Sequence, residues 1–269
     1  RLLAAGVNEV VLIAQDTSCY GYDLYGQNRL ADLLLTIAEL PFAMIRLLYA
    51  YPDTLPENVL QVMAAHANIC HYLDVPVQHG ADSILRAMNR NTSGRELLAA
   101  LQRIRTYMPD IALRSTVMVG FPGETEADFA TLLDFLQQAQ FDWLGAFAYS
   151  QEEDTPAAEF PGQIDEDVKQ ERLAQVMQLA AVITEKRLQR FVGQTLSVLA
   201  ESAAEERGPG WFAGRSQYHA PEVDGVVYFQ LPAGQSAVFG EIYAVQITDS
   251  EIYDLIGHVV SDTSLKLGE

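Results

Sequence analysis

The sequence predicts an α/β protein: a parallel βα barrel that is incomplete at its start, followed by a small antiparallel β-barrel. Residues 1–150 alternate short β-branched apolar runs with capped helical segments, the pattern of βα units around a parallel sheet. From about Phe191 the texture changes to short alternating runs separated by Gly and Pro, as in a small barrel. The chain opens on Arg1, and residues 1–6 read as the last turns of a helix with Gly6 in the C-cap role, so the natural amino terminus is expected upstream. With 269 residues, 49% of them hydrophobic, there is room for one large domain and one small one.

Five strands are expected in the first part, at 8–14, 43–50, 73–77, 111–119 and 143–149. Each is nearly continuous in apolar residues, as strands buried on both faces are, with Arg46 and Arg114 as interruptions. Thr54-x-x-Glu57 and Ser93-x-x-Glu96 are capping-box patterns, and Thr125-x-x-Asp128 is a shorter-armed version. Phe129, Leu132, Leu133 and Leu136 then form one apolar stripe, read as core packing. Asp165-Glu166-Asp167 opens a long helix that Lys186, Arg187 and Arg190 close, in accord with the macrodipole at both ends. This helix connects barrel to tail, dividing the chain into 1–160, 161–190 and 191–269. The tail strands are expected at 195–200, 225–230, 242–248 and 254–260.

Apolar stretches reach only about ten residues, short of the ~20 a membrane span needs, so no membrane association is expected. Cys19 and Cys70 share no C-x-x-C spacing, which argues against a zinc site and suits a reducing, cytoplasmic setting. The formal charge is -19, and the tail holds three basic residues (Arg207, Arg215, Lys266) against eleven acidic ones. Such a surface repels phosphates and favours a basic protein partner over nucleic acid.

Ligands of parallel barrels meet the carboxyl ends of the strands, so the strand-end loops are the candidate sites. Gln15-Asp16-Thr17-Ser18-Cys19 offers hydroxyls and a carboxylate to a polar small molecule, or is a turn rich in capping residues. Val77-Gln78-His79 ends a strand with an amide and an imidazole, the latter either facing the barrel mouth or structural. In Gly120-Phe121-Pro122-Gly123-Glu124 the glycines let the backbone approach a ligand, although a tight strand-to-helix turn needs the same residues.

Val119-Gly120-Phe121-Pro122-Gly123-Glu124-Thr125-Glu126 and Leu73-Asp74-Val75-Pro76-Val77-Gln78-His79, followed by Leu85-x-x-Met88-Asn89-Arg90, resemble the radical S-adenosylmethionine methylthiotransferase family. Gln78-His79, Gln15-Asp16-Thr17 with Tyr20-Gly21, the run Leu47-Leu48-Tyr49-Ala50-Tyr51-Pro52, and Gly214-Arg215-Ser216 with Ala220-Pro221-Glu222-Val223-Asp224-Gly225 are similar to one branch of it. That branch methylthiolates an aspartate of a small-subunit ribosomal protein. The resemblance covers essentially the whole chain. It implies a partial radical S-adenosylmethionine (βα)6-type barrel that lacks its first strand, with a TRAM-like tail, a basic ribosomal protein as partner, and S-adenosylmethionine and 4Fe-4S clusters as cofactors. It further implies that a deoxyadenosyl radical removes hydrogen from an unactivated carbon, the chemistry being the cofactor's.

The family's C-x-x-x-C-x-x-C cluster motif is not in this chain and neither cysteine replaces it. No metal ligand is therefore expected here, and the chain alone is expected to be inactive. What the resemblance carries over is pocket shape: Gln15, Asp16 and Gln78 as polar contacts, and Gly120, Phe121 and Gly123 as close backbone approach. Arg114 is either the partner of the cofactor carboxylate or a strand residue paired with an acid inside the barrel. The alternatives are a tRNA adenosine methylthiotransferase, which the acidic tail disfavours, and a non-catalytic module that binds a basic protein.

Overall fold

A computed structural model describes residues 1–260. Glu9–Leu12 (β1), Met44–Leu47 (β2), Ile69–Asp74 (β3), Ala112–Val119 (β4) and Trp143–Ala148 (β5) form one parallel sheet in chain order. Helices Tyr22–Tyr25 (α1), Leu30–Ala38 (α2), Glu57–Ala65 (α3), Asp82–Ala87 (α4), Gly94–Tyr107 (α5), Glu126–Ala139 (α6) and Glu166–Leu188 (α7) connect the strands and lead out of the last. Strand period 2 sorts the side chains of β4. Leu113, Val117 and Val119 enter the core beneath the helices, with Leu132, Leu136 and Val176. Ala112, Arg114, Thr116 and Met118 take the other, concave face.

The tail strands Thr195–Ala203 (β6), Trp211–Ser216 (β7), Val227–Gln230 (β8), Ile242–Ser250 (β9) and Leu255–Val259 (β10) close in the order β10-β8-β7-β6-β9. Four pairings are antiparallel, and the closing β8/β10 pairing is parallel. A second core joins this barrel to the sheet. Met44, Cys70, Tyr72, Ala112 and Trp143, from the amino-terminal half of the concave face, pack with Phe191, Val198, Phe212, Tyr218 and Phe229.

The β7–β8 connection seats the tail. Arg46 Nη1 donates to Gln217 O at 2.8 Å, Trp143 Nε1 to Tyr218 O at 2.9 Å, and Tyr72 OH to Asp224 Oδ2 at 2.7 Å. Glu9 accepts from Arg46 at 2.9 Å and from Arg215 at 2.5 Å, and Arg215 also reaches Glu201 at 2.7 Å. A Cβ at Gly225 would stand 1.7 Å from Tyr253 O, so only glycine fits there. The tail motif that carried the family resemblance thus docks the tail onto the barrel.

Three local expectations differ from the structure. The third strand starts at Ile69, not Leu73, because Cys70 and His71 break its apolar run although Cys70 is buried against the tail. The tail has a strand at Trp211–Ser216 that its Gly and Arg residues conceal. Thr54 caps nothing: Pro56 occupies the N-cap of α3, and the Thr54 hydroxyl lies 2.9 Å from that of Ser18. The boxes at Ser93 and Thr125 are both formed.

Candidate functional site

With the tail filling one end of the concave face, the carboxyl ends of the strands are the open end. Beyond β3 the chain runs on beside β4, with Gln78 N donating to Thr116 O at 3.0 Å and Met118 N to Gln78 O at 2.8 Å. Gln78 takes φ +71°, a left-handed conformation uncommon outside glycine, which turns the chain out of the sheet towards α4. The strand-end cavity there measures about 640 Å³. Gln78, Met88, Asn89, Arg90, Met118 and Phe121 line it, with Thr155, Pro156, Ala157 and Phe160 of the β5–α7 loop as the outer wall. Arg90 stacks over Tyr51, its guanidinium carbon 4.7 Å from the ring centroid.

The loop after β4 is held from behind. Glu124, 2% exposed, accepts from Gly120 N at 2.6 Å, from Phe121 N at 3.3 Å and from Arg172 Nη1 of α7 at 3.0 Å. Burial nevertheless raises the Glu124 pKa, against the pull of Arg172 and the two amides. Gly120 has φ +72°, and a Cβ there would meet Lys169 Cγ at 2.4 Å. Phe121 packs edge-on against Tyr149 and Phe160. His79 is fully buried beside this loop. Its Nδ1 accepts from Ala81 N at 3.0 Å and its Nε2 lies 3.8 Å from Glu124 without a hydrogen bond, while burial pushes its pKa down to about 4.

Of the residues singled out in the sequence, Gln78 and Phe121 share the cavity wall. Gly120 and Gly123 shape the loop behind it, with the Gly120 N–H committed to Glu124 and the Gly123 N–H to Gly162 O. Asp16 caps the turn Thr17–Cys19 through Ser18 N, at 2.9 Å, and Gln15 is exposed beside it. Arg114 lies towards the tail, 3.0 Å from Asp74 and 3.4 Å from Asp224, so its charge is paired from within the chain. Gln15, Asp16 and Arg114 are not among the residues that line the strand-end cavity. Asn89 and Arg90 stood in the sequence motif without an assigned role. Thr155–Phe160 carried no signal, being a loop that only folding brings over the mouth.

The cavity is of a size to enclose a small molecule. Its thioether and aromatic walls, with two amides and a guanidinium, fit a nucleoside-bearing sulfonium such as S-adenosylmethionine. An iron-sulfur cluster does not fit the side chains present. Cys70 is buried with its thiol pushed up to about 11, and the exposed Cys19 thiol donates to Asp16 at 2.9 Å. Among the described residues no three His, Cys, Asp or Glu side chains converge as a metal site, and no helix is long and apolar enough to cross a membrane.

Comparison with known proteins agrees with the geometry. Residues 1–136 match the model of the Radical SAM superfamily, and residues 192–260 match the TRAM domain. The chain is 44% identical to the ribosomal protein uS12 methylthiotransferase RimO of Clostridioides difficile and 46% identical to that of Geobacter sulfurreducens. Each alignment covers 97% of this chain and 58% of the relative. The counterpart in a Synechococcus strain is 46% identical, over 97% of this chain and 54% of that protein. The chain thus spans somewhat more than half the length of the curated relatives it matches. By its barrel, by the tail docked into it and by this similarity through both, the chain belongs to the Radical SAM superfamily, with a TRAM domain as its tail.

Proposed function

We propose that this chain forms the barrel and tail of a methylthiotransferase that modifies the β-carbon of an aspartate in the small-subunit ribosomal protein uS12. The observation that carries the reading is the 44–46% identity to uS12 methylthiotransferases, which runs through barrel and tail alike. When bound, S-adenosylmethionine supplies the methyl group and the one-electron chemistry. The chain's own residues bind and orient it. Gln78 and Asn89 present amides to its polar edges, Arg90 offers a guanidinium to its carboxylate, and Phe121 with Met88 and Met118 excludes water from its apolar side. The Glu124–Arg172 pair fixes the loop that carries Phe121. Cluster thiolates are not supplied by Cys19 or Cys70. The acidic surface, net -19, favours uS12, as a basic cytoplasmic partner, over tRNA.

Mass spectrometry of uS12 and of tRNA from a strain lacking the gene tests this. The expected result is loss of the methylthio group from the uS12 aspartate with tRNA unchanged. Loss from a tRNA adenosine, with uS12 still modified, overturns the reading.

A further inference from the structure

A second cavity, of about 410 Å³, opens where the β5 edge, α7 and the tail loop meet. Its walls include Trp143, Gly145, Met177, Val223 and Tyr253, and Arg114 and Asp224 also line it. The charges there do not balance. Asp74 and Asp224 both face Arg114, at 3.0 and 3.4 Å. The neighbouring network, by contrast, matches Glu9 and Glu201 with Arg46 and Arg215. The Asp224 side chain is 0% exposed. Its Oδ2 accepts from Tyr72 OH at 2.7 Å and from Ala220 N at 2.8 Å, whereas Oδ1 accepts no hydrogen bond and has only the Arg114 Nε charge, 3.4 Å away. Burial holds the Asp224 carboxyl up at about 6, against the hydrogen bonds from Ala220 N and Tyr72 OH and the charges of Arg114 and Arg46. An acceptor that is buried and unsatisfied costs stability until a donor reaches it, and a cation both donates and supplies the missing charge.

We propose that this cavity is a docking site for a cationic side chain, the ammonium of a lysine or the guanidinium of an arginine, presented by a basic polypeptide. Asp224 Oδ1 receives the charged head, while Trp143, Tyr253 and Met177 cover the aliphatic stem and add cation–π attraction. The chain's excess of acid steers such a partner towards it. The site lies on the flank of the barrel, apart from the strand-end cavity, and its occupancy does not depend on the reaction proposed above.

Calorimetric titration with N-acetyl-arginine amide, N-acetyl-lysine amide and the neutral N-acetyl-norleucine amide tests the assignment. Both cationic probes are expected to bind at least tenfold more tightly than the neutral one, with affinity falling as salt rises. Asp224→Asn is expected to erase that preference. Gly145→Leu fills the cavity from the barrel side, where a Cβ first meets Arg114 Nη2 at an ordinary contact distance of 3.6 Å, and removes no charged group. It is expected to abolish binding even if Asp224→Asn fails to fold. Equal binding of the neutral probe, unchanged binding by Gly145→Leu, or binding of spermidine without the amino-acid amides overturns the proposal.

Discussion

His79 shows how much of a residue's role depends on its surroundings. In the sequence its imidazole could face the barrel mouth or serve the core; in the structure it is fully buried, accepts from Ala81 N, and is held neutral by burial and by the nearby Arg172 charge. Its folded pKa, about 4, lies below the ordinary value of 6.5, so between those values the unfolded chain binds more protons than the native one. The stability it contributes is therefore complete above about pH 6.5 and is lost as pH falls towards 4, by about 3 kcal/mol. His79→Asn keeps an acceptor for Ala81 N and removes the titration. Urea unfolding of both proteins from pH 7.5 to 4 should show wild type losing ground to the variant, and parallel pH profiles would contradict this. Gln78, by contrast, stands out in the sequence as an amide at the end of a buried strand, and it lines the strand-end cavity.

Among the elements, helix starts separate pattern from geometry. Ser93 and Thr125 each accept from the backbone N–H three residues on, and the acid there returns a bond to the N-cap N–H. Thr54-x-x-Glu57 has the same spelling but forms no cap, because Pro56 sets the entry to α3. Ser93→Ala and Thr125→Ala should each cost about 1 kcal/mol in chemical denaturation. Thr54→Ala should cost clearly less, and a loss as large as that at Ser93 would show a cap in solution that this geometry lacks. The strands follow similar logic. Ala112–Val119 is legible because its apolar residues are nearly continuous, whereas Ile69–Asp74 and Trp211–Ser216 are obscured by Cys, His, Gly and Arg. Those polar side chains find partners far along the chain, such as Asp110 for His71 Nδ1 at 2.8 Å and Glu9 for Arg215.

At the scale of the whole molecule the tail completes the barrel's core. Phe191, 2% exposed, packs against Tyr218 with ring centroids 4.7 Å apart and planes tilted by 38°, inside the cluster that includes Trp143 of the sheet. Barrel and tail should therefore unfold as one cooperative unit. Trp143 reports on the barrel in a Trp211→Phe background, and Trp211 reports on the tail in Trp143→Phe. Phe191→Ala should shift both transitions together, by about 3–5 kcal/mol. A tail transition that moves while the barrel's stays would show the two to be independent.

The sequence by itself determined the α/β class, the change of texture near Phe191 and the family, since all of these rest on local periodicity and contiguous motifs. Only the tertiary structure decided where the charges go. Arg114 and Arg215 find carboxylates on both sides of a domain boundary, and Asp224 reaches the barrel from 110 residues beyond Arg114. Burying a charge is tolerable only when a partner arrives with it, and that partner is chosen by packing across the fold, not by spacing along the chain.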